Sequence, residues 1–171
     1  QQLLEAPALL MQINQLANDC VASLRQGGKI IFCGNGGSFA DAQHLAAEFT
    51  SRFLFDRSAL ASVALGTNSS GMTAMGNDYG FEFVFAREIE ALARAEDIFI
   101  GITTSGNSPN ILNATKAAQG IGSKTYIFTG EIGGKIKGRS ECLHVPSKDT
   151  ARIQECHILI GHIVCGIVEK E

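Results

Sequence analysis

After Lys29, Ile30-Ile31-Phe32-Cys33 is a continuous apolar run that breaks at once into Gly34-Asn35-Gly36-Gly37-Ser38, after which a helical pattern takes over. A strand apolar on both faces must be buried on both, and a sheet covered by helices on each side provides that burial. The glycines let the backbone turn sharply and approach a ligand, and a helix opening at Ser38 aims its N–H groups at that ligand, which suits an anion. The chain is thus organised around a strand-loop-helix junction of the α/β kind.

Comparable runs recur at Leu60–Leu65, Ile98–Thr103, Thr125–Thr129 and Cys142–Val145, with helical patterns at about 38–51, 69–76, 82–94 and 109–119 and a short one near 133–137. Strands alternating with helices imply a parallel sheet, and right-handed crossovers place helices on both of its faces. The spacing therefore predicts a three-layer α/β/α sandwich on a five-stranded parallel sheet. At 171 residues and 45% apolar content the chain is expected to be a single domain, 1–171.

Two further helices flank this unit. Leu3, Leu4, Leu9, Leu10, Ile13, Leu16, Ala17, Val21 and Leu24 space as one helix closed by Gly27-Gly28. The stretch from Thr150 to Glu169 carries Ile153, Cys156, Ile158, Leu159, Ile160, Ile163, Val164, Ile167 and Val168, which leaves little of a helix circumference polar. Helices apolar all round are buried, and in a small protein the simplest cover is the same helices of other subunits.

Charge excludes some classes. A net charge of −3 and a pI near 5.8 give no general attraction to nucleic acid or to an anionic membrane. No apolar stretch of about 18 uninterrupted residues and no leader-like start is present, so a soluble, cytoplasmic protein is expected. The five cysteines form no Cys-x-x-Cys pair and read as reduced core residues.

A second junction, Thr103-Thr104-Ser105-Gly106-Asn107-Ser108-Pro109, offers hydroxyls and backbone donors suited to a neutral phosphate cage, although Ser108 alone would also serve as an ordinary helix cap. Two such loops at the carboxyl ends of strands favour a ligand site, because open α/β sheets bind ligands there. Nucleotide signatures are absent: the first loop lacks a Lys-Ser/Thr ending, and Phe39 stands where a dinucleotide fingerprint needs a small residue.

His44 and Glu48 stand at i,i+4 and share a helix face with Asp41, either as an acid/base or metal pair or as a solvated face. Gln154 and His162 are polar groups inside an apolar helix and need partners, as does His157, for which a core role is open. Gln154 and His162 are eight residues apart, about 12 Å along a helix and roughly 80° around it, so one copy of the helix does not bring both to one small ligand. A composite site is expected, with Glu48 and His162 supplied by different chains. Asn77-Asp78, after Gly76, is a turn or a hydroxyl-binding pair.

At these residues the chain resembles the sugar isomerase (SIS) domain family, and within it the phosphoheptose isomerases, over essentially its whole length. The resemblance rests on Gly34-Asn35-Gly36-Gly37-Ser38 with Asp41-Ala42-Gln43-His44 and Glu48, on Gly76-Asn77-Asp78, on Thr103-Thr104-Ser105-Gly106-Asn107-Ser108, and on Arg152-Ile153-Gln154-Glu155 with His162. It implies conversion of sedoheptulose 7-phosphate to D-glycero-D-manno-heptose 7-phosphate, an early step toward activated heptose for lipopolysaccharide and other bacterial surface polysaccharide. It also implies a homotetramer with active sites between subunits.

By resemblance, Glu48 matches the general base and His162 the second acid/base group, while His44, Glu48, Gln154 and His162 match zinc ligands. Asn35, Gly36, Gly37, Glu48, Asn77, Asp78, Thr103, Thr104, Ser105, Ser108 and Gln154 match substrate-binding positions. Thr103 departs from a serine found in some members but keeps the hydroxyl. Ala151 stands where some members have an acid, so the resemblance does not carry that contact to the sugar over to this chain. The alternative readings are a non-catalytic phosphosugar-binding regulator of the same fold, a replication-initiator-binding relative, or an isomerase of other sugar phosphates.

Overall fold

The computed structural model describes residues 6–171. Its strands are β1 Ile30–Gly34, β2 Ser62–Ala64, β3 Ile98–Ile102, β4 Lys124–Gly130 and β5 Glu141–Val145, all parallel in the order β2-β1-β3-β4-β5. The helices are α1 Pro7–Arg25, α2 Gly37–Thr50, α3 Ser69–Tyr79, α4 Val84–Leu92, α5 Pro109–Ile121 and α6 Thr150–Val168. Strand periodicity sorts the core into two layers. Ile30, Phe32, Ile100 and Phe128 meet the inner faces of α1, α2 and α6, whereas Ile31, Cys33, Phe99 and Ile127 meet α4 and α5. This is the expected three-layer sandwich.

The differences are local. The second strand, expected from Leu60, is shortened to Ser62–Ala64 because it is an edge strand paired on one side only, and Leu60 instead donates its N–H to Phe49 O at the end of α2. The helix expected at 82–94 begins as a short turn at Phe81–Phe83 and continues as α4. Leu3 and Leu4 lie outside the described residues. All five cysteines are free, and burial holds the thiols of Cys20, Cys33, Cys142 and Cys165 above their ordinary range.

Helix α6 starts at an Asp149 cap whose carboxylate accepts from Ala151 N and Arg152 N. By length and composition it could cross a membrane, but Ile153, Ile160 and Val164 close the core with α1 and α2, as in a core helix. Its outer face is apolar as well, with Leu159 47% exposed and Ile158, Ile163 and Ile167 half-buried.

Candidate functional site

From β1 the chain first passes to β2 on one side, and β3 then pairs on the other side of β1. The strand order reverses at this point, and loops at the carboxyl ends of the two strands diverge there to leave a crevice. The loop 35–36 after β1 and the loop 103–108 after β3 are the two junctions singled out by sequence.

Residue Asn35 is fixed by a reciprocal amide pair with Asn110 on the first turn of α5: Asn35 Nδ2 donates to Asn110 Oδ1 at 2.9 Å and Asn110 Nδ2 donates to Asn35 Oδ1 at 2.8 Å. Asn110 is buried and its Oδ1 also accepts from its neighbour Ile111 N, so one side chain ties both loops together. Nothing in the sequence marked Asn110, since an asparagine after a proline at a helix start reads as local capping. Ser38 and Phe39, by contrast, close their N–H groups onto Asn35 O and Gly36 O. The expectation that Ser38 opens a helix whose N–H groups face a ligand is corrected on that point: tight i,i+3 bonds satisfy those donors.

The 103–108 loop is pre-set. Gly106 has φ +65°, and a Cβ there would sit 1.9 Å from Gly133 O, so the loop lies directly on the turn at 133–136, to which Asn107 Oδ1 and Gly106 O also bind through Lys135 N and Ile136 N. Ser108 occupies the cap position of α5 without capping by its side chain; its hydroxyl instead meets that of Thr103 at 3.2 Å. That removes the ordinary-cap reading. Thr104, Ser105 and Asn107 line a cavity of about 250 Å³ together with Ser147, Lys148 and Thr150. Asn35 and Gly36 face a second cavity of about 260 Å³ that α3 closes with Ser69 and Thr73. Asn77 and Asp78 sit at the exposed end of α3, bonded to each other rather than to the loops.

Helices α2 and α6 run side by side in the same direction. A Cβ at Gly37 would lie 2.7 Å from Gln154 Nε2, and one at Gly161 would lie 2.4 Å from Leu45 Cδ2, so both contacts depend on missing side chains. This close approach brings His162 to His44 and Glu48. His44 Nε2 and His162 Nε2 are 2.8 Å apart, and His44 Nε2 is 3.3 Å from Glu48 Oε1. The ligating atoms of all three lie within 4.8 Å of one another. The expectation that Glu48 and His162 come from different chains is therefore corrected: parallel packing through Gly161 and Leu45 puts both in one chain. Gln154 does stay apart, over Gly37 at the other end of the helix pair.

Burial, helped by nearby His44 and opposed by Glu48, lowers the His162 imidazole below its ordinary range, so it is neutral at pH 7 and free to accept a proton or a metal. Burial likewise raises Asp41, one turn before His44, and its Oδ2 is buried without a hydrogen-bond partner. Two imidazole nitrogens and a carboxylate oxygen within this span form a donor set suited to zinc. His157 is separate: it is fully buried against Phe128, and burial pushes it down to about 4, which makes it a neutral core histidine.

A sequence profile of the SIS domain matches residues 2–130. The phosphoheptose isomerase of Burkholderia pseudomallei is 52% identical over 162 residues, which is 94% of this chain and 82% of that one. Among solved structures, a phosphoheptose isomerase from Francisella tularensis superposes with a TM-score of 0.93 at 38% identity, over 99% of this chain and 91% of that one. The phosphoheptose isomerase from Neisseria gonorrhoeae gives 0.89 at 46% identity, over 98% and 90%.

Proposed function

The chain belongs to the SIS domain family, in its phosphoheptose isomerase branch, and on that premise we propose that it converts sedoheptulose 7-phosphate to D-glycero-D-manno-heptose 7-phosphate. The observation that carries the proposal is the convergence of Glu48, His44 and His162 in one chain whose strand ends also carry a hydroxyl-rich loop.

Moving a carbonyl from C2 to C1 needs no external oxidant, because one proton leaves C1, one is delivered to C2, and protons exchange between the two oxygens of the enediol. Glu48 takes the C1 proton, exchanges it with solvent as a carboxylic acid and delivers a proton to C2, and neutral His162 passes the proton between O1 and O2. Thr103, Thr104, Ser105 and Ser108 hold the phosphate by hydroxyl and backbone donors, with Asn35, Gly36, Gly37, Asn77, Asp78 and Gln154 along the sugar. His44, Glu48 and His162 would hold a zinc ion, which when bound supplies Lewis-acid stabilisation of negative oxygen. Gln154, kept from that cluster within its own chain, is then the ligand a second copy contributes, in a homotetramer whose active sites lie between subunits covered by α1 and α6. The enzyme would act in the cytoplasm and supply heptose for surface polysaccharide.

Incubation with sedoheptulose 7-phosphate in deuterated water is expected to give the aldose with solvent deuterium at C2, read by NMR. No turnover with or without zinc, alongside tight binding of a sugar phosphate, would turn the reading to a phosphosugar-binding regulator. A second expectation concerns Asn110: Asn110→Asp removes the donor to Asn35 Oδ1 and should raise KM by roughly tenfold, the size of one hydrogen bond, with little change in kcat. A variant whose KM is unaltered would show that Asn35 does not meet substrate.

A further inference from the structure

Beyond α2 the chain runs through 51–61 without regular secondary structure, yet its start is held from both sides. The Arg57 guanidinium, 12% exposed, caps the end of α2: Nη2 donates to Glu48 O at 2.7 Å, and Nη1 donates to Phe49 O at 2.9 Å and Ser58 O at 3.0 Å. Its Nε lies 3.2 Å from Oε1 of Glu169, just past the end of α6. The Glu169 carboxylate, 1% exposed, also accepts Phe53 N at 2.8 Å and Leu54 N at 2.7 Å. Burial alone would raise this carboxyl, but the N–H donors of Leu54 and Phe53 together with Arg57 outweigh it and hold the group below the usual carboxylate range.

This clamp delivers one ring to the site. Phe53 stacks on His162 with centroids 5.2 Å apart and planes at 23°, while the His44 ring meets His162 edge-on at 5.0 Å and 70°. The terminal torsion of a histidine is broad and intrinsically weakly held, so the plane of the His162 ring depends on what lies against it. A flat aromatic face held on the backbone by Glu169 supplies that constraint, and it leaves Nε2 directed at His44 and Glu48.

We infer that Phe53 is a positioning residue for His162, and that the Arg57–Glu169 pair exists in this fold to hold it there. The inference rests on the isomerase reading of the site for its effect on rate, but its geometry stands apart from that reading. Phe53→Leu keeps an apolar side chain and removes the flat face; Phe53→Tyr keeps the face. In the full-length chain, Phe53→Leu is expected to lower kcat on sedoheptulose 7-phosphate by about 10- to 100-fold, the cost of an ill-placed catalytic group, with KM held within about twofold. Phe53→Tyr should restore kcat to within about threefold of the parent, on the scale of a retained aromatic stack. Glu169→Gln, which gives up the charge that Arg57 and the two N–H groups share, should move kcat the same way by less.

The second readout is the proton NMR signal of the His162 ring carbons, assigned against His162→Gln in carbon-13 histidine-labelled protein. Ring current from Phe53 should displace it in the parent and in Phe53→Tyr and release it in Phe53→Leu. An undisplaced signal in the parent, parental kcat in Phe53→Leu, or a Tyr variant as slow as the Leu variant would overturn the inference. A parent that fails to turn over the heptose phosphate sinks the isomerase reading instead, and the NMR displacement then decides the stack alone.

Discussion

Substituting Gln for Glu48 is expected to leave the fold and phosphosugar binding intact while lowering kcat by at least about 10²–10⁴-fold, the usual cost of removing a general base. The fold should survive because Arg57 binds the backbone carbonyl of Glu48, not its carboxylate, and because the neighbouring core contact is made by Leu45 and Gly161. The amide keeps the shape and a hydrogen-bonding oxygen near His44 but has no basicity to spend on a carbon acid. KM should change little, and exchange of substrate hydrogen with solvent deuterium should fall in step with kcat. Zinc content must be measured beside the rate, since an amide is also a weaker ligand. If excess zinc restores near-parental turnover to Glu48→Gln, the residue serves as a ligand and the base lies elsewhere.

How much of this was readable from sequence follows from the range of each interaction. The sheet was legible because buried parallel strands are apolar on both faces, and Ile30–Cys33 and Ile98–Ile102 carry that pattern without interruption. The positions of the two loops behind β1 and β3 were legible for a related reason: a glycine or hydroxyl cluster directly behind a buried strand marks where that strand ends. The i,i+4 pair of His44 and Glu48 was legible as a helix face. The long-range partners were not. That His162 joins Glu48 in the same chain depends on Gly161 and Leu45 letting two helices touch, and a glycine in an apolar helix announces no particular neighbour. Asn110, Phe53, Arg57 and Glu169 bind groups distant in sequence or spend their polarity on backbone atoms, so each reads as an ordinary cap, core or surface residue until the fold brings its partner to it.

That division of the site between close and remote residues sets up a test by mixed assembly. His44, Glu48 and His162 converge within one chain, whereas Gln154 lies over Gly37, about 12 Å along α6 from His162. If Gln154 completes the site of a neighbouring subunit, chains carrying Glu48→Ala and chains carrying Gln154→Ala, each inactive alone, should recover activity when co-assembled. The Gln154→Ala chain still holds an intact His44, Glu48 and His162, and its Glu48→Ala neighbour still offers Gln154. Chains carrying Glu48→Ala and His162→Ala should recover nothing, because every cluster in the mixture lacks one member. Native mass spectrometry fixes which mixtures contain hetero-oligomers before rates are compared. Recovery by the Glu48→Ala and His162→Ala pair would mean that the working site is assembled across chains after all. Silence from the Glu48→Ala and Gln154→Ala pair in confirmed hetero-oligomers would confine Gln154 to its own chain, where it packs over Gly37 and away from the His44, Glu48 and His162 cluster.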